Sequence, residues 1–273
     1  MKATKTGGGK QPAAKETKGA KPRRTGNAAG TDAPAKTAEG HLLKDDVSNY
    51  DKTVYEKPSV TVDVCICRFA QGEVQVLLIQ RKHPPFRNLW AIPGGFLQVE
   101  ADEGLEETAA RELEEETGLR DVYLEQLKSY GDPKRDPRMR VVTVAYFALL
   151  RMSALAKQKL RAADDAKEVG WFSLRALPKL AFDHETILAD LLARLAGKIT
   201  YTPIAFHLLE ETFTWADLQS IYESILGKKI VAPNFRRKIQ SVYKIEPTQT
   251  HRSAGPGRPA AEFTYDGQWD EEF

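Results

Sequence analysis

Between positions 111 and 119 the chain reads Arg-Glu-Leu-Glu-Glu-Glu-Thr-Gly-Leu. On a helix, spacings of three and four residues bring side chains to one face, so Glu112, Glu115 and Glu116 gather there, with Arg111 placed to pair with one of them. Like charges on one face repel, and a divalent cation removes the repulsion. Carboxylate oxygens with no Cys or His nearby favour Mg²⁺ or Mn²⁺ over zinc, and Mg²⁺ is commonly held by a few carboxylates together with substrate phosphates. The chemistry indicated is metal-assisted attack on a phosphate ester or anhydride. Acidic runs more often coat a solvated helix face. That reading leaves unexplained the Pro93-Gly94-Gly95 turn upstream and the fixed arginine spacing.

These residues need a helix to hold them. Leu105, Ala109 and Leu113 repeat every four residues and supply its buried stripe, and Ala110 permits close packing. Asp102 is the expected N-cap, Glu103, Glu106 and Glu107 suit the positive end of the dipole, and Gly118 stands where a left-handed C-terminal residue is wanted.

The segment resembles the Nudix box, G-x5-E-x7-R-E-U-x-E-E-x-G-U, with Glu103, Arg111, Glu112, Leu113, Glu115, Glu116, Gly118 and Leu119 at matching positions. It departs at the front, where Leu97 occupies the consensus glycine and the Gly-Gly pair ends at Gly95, so the loop is two residues longer. The resemblance implies a Nudix α/β/α sandwich and attack of metal-activated water on the diphosphate of a nucleoside diphosphate derivative. Glu112, Glu115 and Glu116 would hold the metal, and Arg111 would position them.

Around this segment, Val60 to Arg68 alternates as a strand, followed by strands over Val74 to Gln80, Met139 to Leu150 and Glu168 to Leu174. Interleaved strands and helices predict an α/β layered domain over residues 56–180. Arg81 offers a cation for phosphate, and Gly94 and Gly95 allow backbone to approach a ligand. Trp90 is either a face for a base or ordinary core. Lys134, Arg135, Arg138 and Arg140 lie in or beside a Pro-broken loop and can reach phosphates or a ribose. The resemblance implies Glu168 as general base, reaching in from a loop, with Glu115 as the competitor.

The chain's 273 residues, 41% hydrophobic, supply ample core, and the absence of a long apolar run or apolar N-terminal stretch predicts a cytoplasmic protein with no membrane partner. Cys65 and Cys67 share one face of a strand and read as reduced, buried thiols. Residues 1–50 are poor in large apolar side chains and predict a disordered tail. Its first 45 residues hold ten Lys or Arg against four Asp or Glu, net +6, which against +2 for the chain leaves −4 on the remainder. Such a tail is either a nucleic-acid arm or a solubilising linker.

Residues 181–199 read as a linking amphipathic helix, and 200–266 as a small module. In the module a short apolar helix runs from Pro203 to Leu209. Thr214 with Asp217 caps a second ending at Gly227, and Asn234 opens a third with Arg236, Arg237 and Lys238. A ribbon from Ile245 to Tyr265 turns through Arg252 to Pro259, which includes Arg258. Helices followed by a basic ribbon predict a winged helix-turn-helix domain. Tyr201-Thr-Pro, Phe213-Thr, Asn234-Phe-Arg-Arg-Lys and Gly257-Arg-Pro resemble the C-terminal domain of Nudix-related transcriptional regulators of NAD metabolism and their enzymatic cousins. This resemblance implies ADP-ribose as the Nudix ligand, double-stranded DNA as a second partner and a homodimer. Arg236, Arg237, Lys238, Arg252 and Arg258 would face the DNA; alternatively the module serves dimerisation. Two functions follow: a Mg²⁺-dependent hydrolase converting ADP-ribose to AMP and ribose 5-phosphate, or an ADP-ribose-responsive regulator with little or no turnover.

Overall fold

The computed structural model describes residues 51, 53–101, 103–120, 122–156, 166–253 and 259–269. The basic tail over 1–50, Asp102, Gly257 and Arg258 lie outside them. A mixed seven-stranded sheet is built from β1 (Ser59–Ala70), β2 (Glu73–Arg81), β3 (Trp90–Ala91), β4 (Gly94–Phe96), β5 (Tyr123–Tyr130), β6 (Val141–Leu150) and β7 (Ala166–Ser173). Its order is β3-β2-β1-β6-β5, with β4 also pairing β1 and β7 pairing β2. β1 is central: β6 runs parallel to it from Ser59↔Val141 to Arg68↔Leu150, and β2 and β4 pair antiparallel on its other side.

A strand covered on both faces reads as a nearly continuous apolar run, and β1 follows that rule. Val62, Val64 and Ile66 face the helix α1 (Leu105–Thr117), joining Ala109 and Leu113 in one core cluster. Cys65 and Cys67 point the opposite way, toward α3 (His184–Lys198), among Ile187, Leu188, Leu191 and Leu195. Helices on both faces make the α/β/α sandwich. Both cysteines are free and buried, and burial pushes the Cys67 thiol up to about 12.

Helix α1 ends as expected, with Gly118 left-handed at φ 70° and its N–H donating to the Glu114 carbonyl at 2.7 Å. Its start differs. Gly104 is the N-cap and contributes no side-chain bond, so the cap expected at Asp102 lies two residues too early. Strand β5 is an unforeseen edge strand, paired among the described residues with β6 alone and bulged between Gln126 and Lys128.

The helix α3 is more than a connector. Its buried residues share one continuous cluster with Phe206, Phe213, Trp215 and Leu218 of the following module. There α4 (Trp215–Leu226) begins on a complete capping box, Thr214 Oγ1 accepting from Asp217 N while the Asp217 carboxylate accepts from Thr214 N. α5 (Ala232–Gln240) starts two residues before Asn234, with Pro233 in its first turn, and β8 (Tyr243–Arg252) pairs with β9 (Ala260–Trp269) as the wing. The first expected helix is only a 3₁₀ turn, Ile204–His207, whose Phe206 stacks on Tyr265 with centroids 4.1 Å apart. The short helix α2 (Met152–Ala156) follows β6. No helix among the described residues is long and apolar enough to cross a membrane.

Two polar ties join module and sheet. Val74 N donates to Ser224 Oγ at 2.9 Å, and Arg175 donates to the Ser224 and Ile225 carbonyls at 3.0 and 2.8 Å, satisfying terminal carbonyls of α4. Because Leu191 lies fully buried in the shared cluster, Leu191→Ala should cost about 2–5 kcal/mol. Urea unfolding monitored separately in the sheet and in the winged module should show both transitions shifted.

Candidate functional site

Gly94 and Gly95 sit where side chains do not fit. A Cβ on Gly94 would stand 2.2 Å from the Val62 carbonyl oxygen, and one on Gly95 would stand 2.2 Å from Glu112 Oε1. The missing side chains let β4 pair with Thr61–Asp63 while the Glu112 carboxylate packs against the loop. Past the glycines the loop holds a 3₁₀ turn, Val99–Ala101, and Leu97 N donates to the Val60 carbonyl at 3.1 Å.

On α1, Glu116 is 3% exposed and Glu112 is also buried, whereas the Glu115 side chain is 51% exposed. The three do not close into a cage: among the described residues no group of three or more Asp, Glu, His or Cys is arranged to hold a metal ion. Arg111 stands between them instead. Its guanidinium donates to Glu103 Oε1 at 2.8 Å, Glu112 Oε1 at 2.8 Å and Glu115 Oε1 at 3.3 Å. Glu103 closes the loop, accepting from Gln98 N at 3.2 Å and Thr108 Oγ1 at 2.9 Å. The donor chemistry, oxygen only, fits Mg²⁺ or Mn²⁺ once the arginine bonds are exchanged.

Beside the loop lies a cavity of about 220 Å³ whose wall includes Asp63, Arg81, Gly94, Gly95, Phe96, Arg135, Arg138, Phe182 and His184. None of the three α1 glutamates lines it; Gly95 borders both cavity and carboxylate cluster. Arg81 donates through Nε to the Pro85 carbonyl at 2.9 Å, and its guanidinium lies 4.9 Å from the Phe182 ring. Arg138 is clamped by Asp136 at 3.0 and 2.7 Å, which holds the Asp136 carboxyl below its usual range. Arg135 is buried and forks onto Asp183 at 3.0 and 2.8 Å, so it serves the scaffold.

Sequence reasoning missed Asp63 and His184. Asp63 is a buried carboxylate with Arg135 Nη2 at 3.6 Å and His184 Nε2 at 3.8 Å. His184 Nδ1 accepts from Ile92 N at 2.9 Å, so the neutral ring carries its proton on Nε2, toward Asp63, and burial lowers its pKa. The legible signal was an acid interrupting an apolar strand.

Two expected site residues are placed elsewhere. Trp90 takes the packing alternative: its indole meets Phe172 edge-on at 4.6 Å and does not line the cavity. Glu168 lies on β7 opposite Gln80, exposed, rather than on an inward loop. Strand alternation puts it on the face opposite Val169 and Trp171, which pack on the α1 side. It is not positioned as the base.

In the winged module, Arg236, Arg237 and Lys238 are exposed on α5, while Phe235 and Ile239 are buried. Arg252 is committed internally, bonding Asp217 at 2.8 Å, Glu262 at 2.9 Å and the Thr212 carbonyl at 3.0 Å.

The NUDIX domain family matches residues 57–195, and the NrtR DNA-binding winged helix domain matches residues 205–265. The chain belongs to the NUDIX family, in the branch that carries an NrtR-type winged helix after the NUDIX domain. It is 41% identical over 216 residues to the ADPR responsive transcriptional repressor NtrR of Acinetobacter baylyi, spanning 78% of this chain and 84% of the relative. An ADP-ribose pyrophosphatase of Methanocaldococcus jannaschii is 41% identical over 149 residues, 55% of this chain and 80% of that one. The crystal structure of Shewanella oneidensis NrtR complexed with a 27mer DNA superimposes with a TM-score of 0.66 at 35% identity, covering 76% of this chain and 94% of that one.

The Arg111 pairing holds the Glu103 carboxyl down at about 2 from an ordinary value of 4.5. A depressed folded-state pKa contributes stability above the unfolded value, lost as pH falls through the folded one. The melting-temperature advantage of the parent over Glu103→Gln should therefore be full above about pH 4.5 and shrink toward pH 2. An advantage independent of pH would contradict the pairing.

Proposed function

We propose that this chain is a ligand-responsive DNA-binding protein in which the NUDIX domain binds ADP-ribose and the winged helix binds double-stranded DNA. One observation carries the reading: a relative matching both domains, over 84% of its own length, is named as an ADPR responsive repressor. Arg236, Arg237 and Lys238, exposed on α5, supply charge for backbone phosphates. As a homodimer the chain would present two such helices to the duplex.

Ligand hydrolysis is the second reading, favoured by the complete set of α1 glutamates and by the ADP-ribose pyrophosphatase among the relatives. Glu112, Glu115 and Glu116 would hold Mg²⁺ or Mn²⁺, with Arg111 releasing two of them. Such an ion, when bound, neutralises phosphate charge and lowers the pKa of a bound water. Arg81 and Arg138 would meet the diphosphate, and the Gly94–Gly95 backbone gives it close approach. Glu115, exposed and beside Arg111, takes the role of general base in place of Glu168. The products would be AMP and ribose 5-phosphate.

The deciding experiment follows AMP release from ADP-ribose with and without Mg²⁺, alongside DNA affinity with and without ADP-ribose. ADP-ribose that alters DNA affinity without being consumed supports the regulator alone; metal-dependent AMP release adds the hydrolase. Glu115→Gln and Glu116→Gln should each abolish any such release while the circular dichroism spectrum stays that of the parent. Unchanged rates in both would remove the metal role. For the DNA side, Arg236→Ala with Arg237→Ala should weaken binding and flatten the slope of log affinity against log salt by about four for the dimer, two contacts from each protomer. A slope identical to the parent's would take α5 away from the phosphates.

A further inference from the structure

We infer that the winged module carries a separate small-molecule site, a cavity bordered by α5 and suited to a short alkyl or aryl carboxylate. The cavity holds about 280 Å³ and lies where the end of α3, α4, the loop after it, α5 and the start of β8 meet. It shares no lining residue with the cavity beside the glycine loop, so the inference stands whether or not ADP-ribose binds there.

The walls are apolar. Ile199, Leu226, Ile230, Ile239 and Val242 line a space that close packing would ordinarily fill. It stays open because the elements around it are braced. Tyr222 and Phe235 meet edge to face with centroids 4.9 Å apart, tying α4 to α5. The Tyr222 hydroxyl bonds that of Tyr243, tying α4 to β8. Glu223 accepts from Ile230 N at 3.0 Å, and Gln219 Nε2 donates to the Ile230 carbonyl at 3.1 Å. Both backbone groups of that wall residue are thereby fastened to α4. A shift of α5 that closed the space would have to break these contacts.

The polar groups select the occupant. No Asp or Glu is among the lining residues. The nearest acid in sequence, Glu223, already accepts from Lys229 Nζ at 2.7 Å as well as from Ile230 N. Lys228 and Lys238 both line the cavity, and among the described residues neither side chain forms an ion pair or hydrogen bond. Thr200 and Asn234 add a hydroxyl and an amide. Apolar walls with a few polar groups are the usual make-up of a ligand site, and this volume lies just under the roughly 300–1,000 Å³ common for such sites. One ring or a short alkyl chain suits it. A neutral hydrophobe would leave the lysines unused, and a bare anion would leave the walls unused; a carboxylate on an apolar body uses both.

The test is methyl NMR of the full chain, with isoleucine δ1 carbons labelled, titrated with octanoate below its micellar concentration, with 1-octanol and with acetate. Octanoate should shift the Ile199, Ile230 and Ile239 signals saturably and bind more tightly than octanol, and acetate should leave them in place. Lys228→Met keeps an unbranched stem and removes one charge at an exposed position. It should weaken octanoate by about 2-fold to 5-fold, the span of an exposed ion pair, and leave octanol unchanged. Leu226→Trp should fill the space and abolish both. Because Lys228 is exposed, its variant tests the site even if Leu226→Trp does not fold. Equal affinity for octanoate and octanol, or octanoate binding unmoved by Lys228→Met, would overturn the carboxylate preference. Octanoate shifts confined to isoleucines outside the module, or no saturable shift at all, would remove the site.

Discussion

The structure turns on two absent side chains. Gly94 lets β4 lie against the Val62 carbonyl, and Gly95 lets the Glu112 carboxylate pack against the same loop. Any Cβ there would push the loop from β1 or the carboxylate from its arginine. The cavity wall and the acidic cluster would then part, since the glycine loop is what they share. At Gly94 the constraint is steric, a 2.2 Å approach to backbone oxygen, whereas at Gly95 the obstacle is the end of the Glu112 side chain, which would have to leave its arginine.

Charge is managed around that loop. Three acids on one turn of helix would repel, yet Arg111 bonds two of them and also Glu103, which in turn fastens the loop through Gln98 N and Thr108. One guanidinium thus performs two tasks, neutralising the helix face and fixing the loop that covers it. A cation arriving at the glutamates would compete directly with the loop's own fastening, because both would draw on the carboxylates that Arg111 holds.

What was legible in the sequence follows from period and punctuation. β1 was legible by its alternation and β6 by its β-rich composition, α1 showed its stripe and its terminal Gly118, and the Thr214–Asp217 box announced α4. β5 escaped because an edge strand paired on one side, with a bulge at its middle, blurs its alternation. The carboxylate cluster and the glycine loop were readable, being local in sequence. The cavity was not, because Asp63, Arg81, Arg138 and His184 come from four separate segments and only the sheet order brings them together. Glu168 and Arg252 were misread for a common reason. A charged residue's type says nothing of its direction, and strand alternation turned the first away while Asp217 and Glu262 had already engaged the second.

The helix α3 makes the two halves mechanically one. Its first turn carries Asp183 as N-cap and His184, both anchored at the cavity, and its later turns bury Leu191 and Leu195 in a core shared with Trp215 and Phe206. At the other edge, Arg175 reaches from the end of β7 to the last carbonyls of α4, an approach that requires Gly227, since a Cβ there would stand 2.7 Å from its Nη2. Packed interiors deform little, because lost contacts at constant density are costly. A module attached through both a shared core and a capped helix end therefore cannot reorient freely on a linker. Any change at the cavity that moves the start of α3 must be taken up either within the core or as displacement of α4 and α5 together.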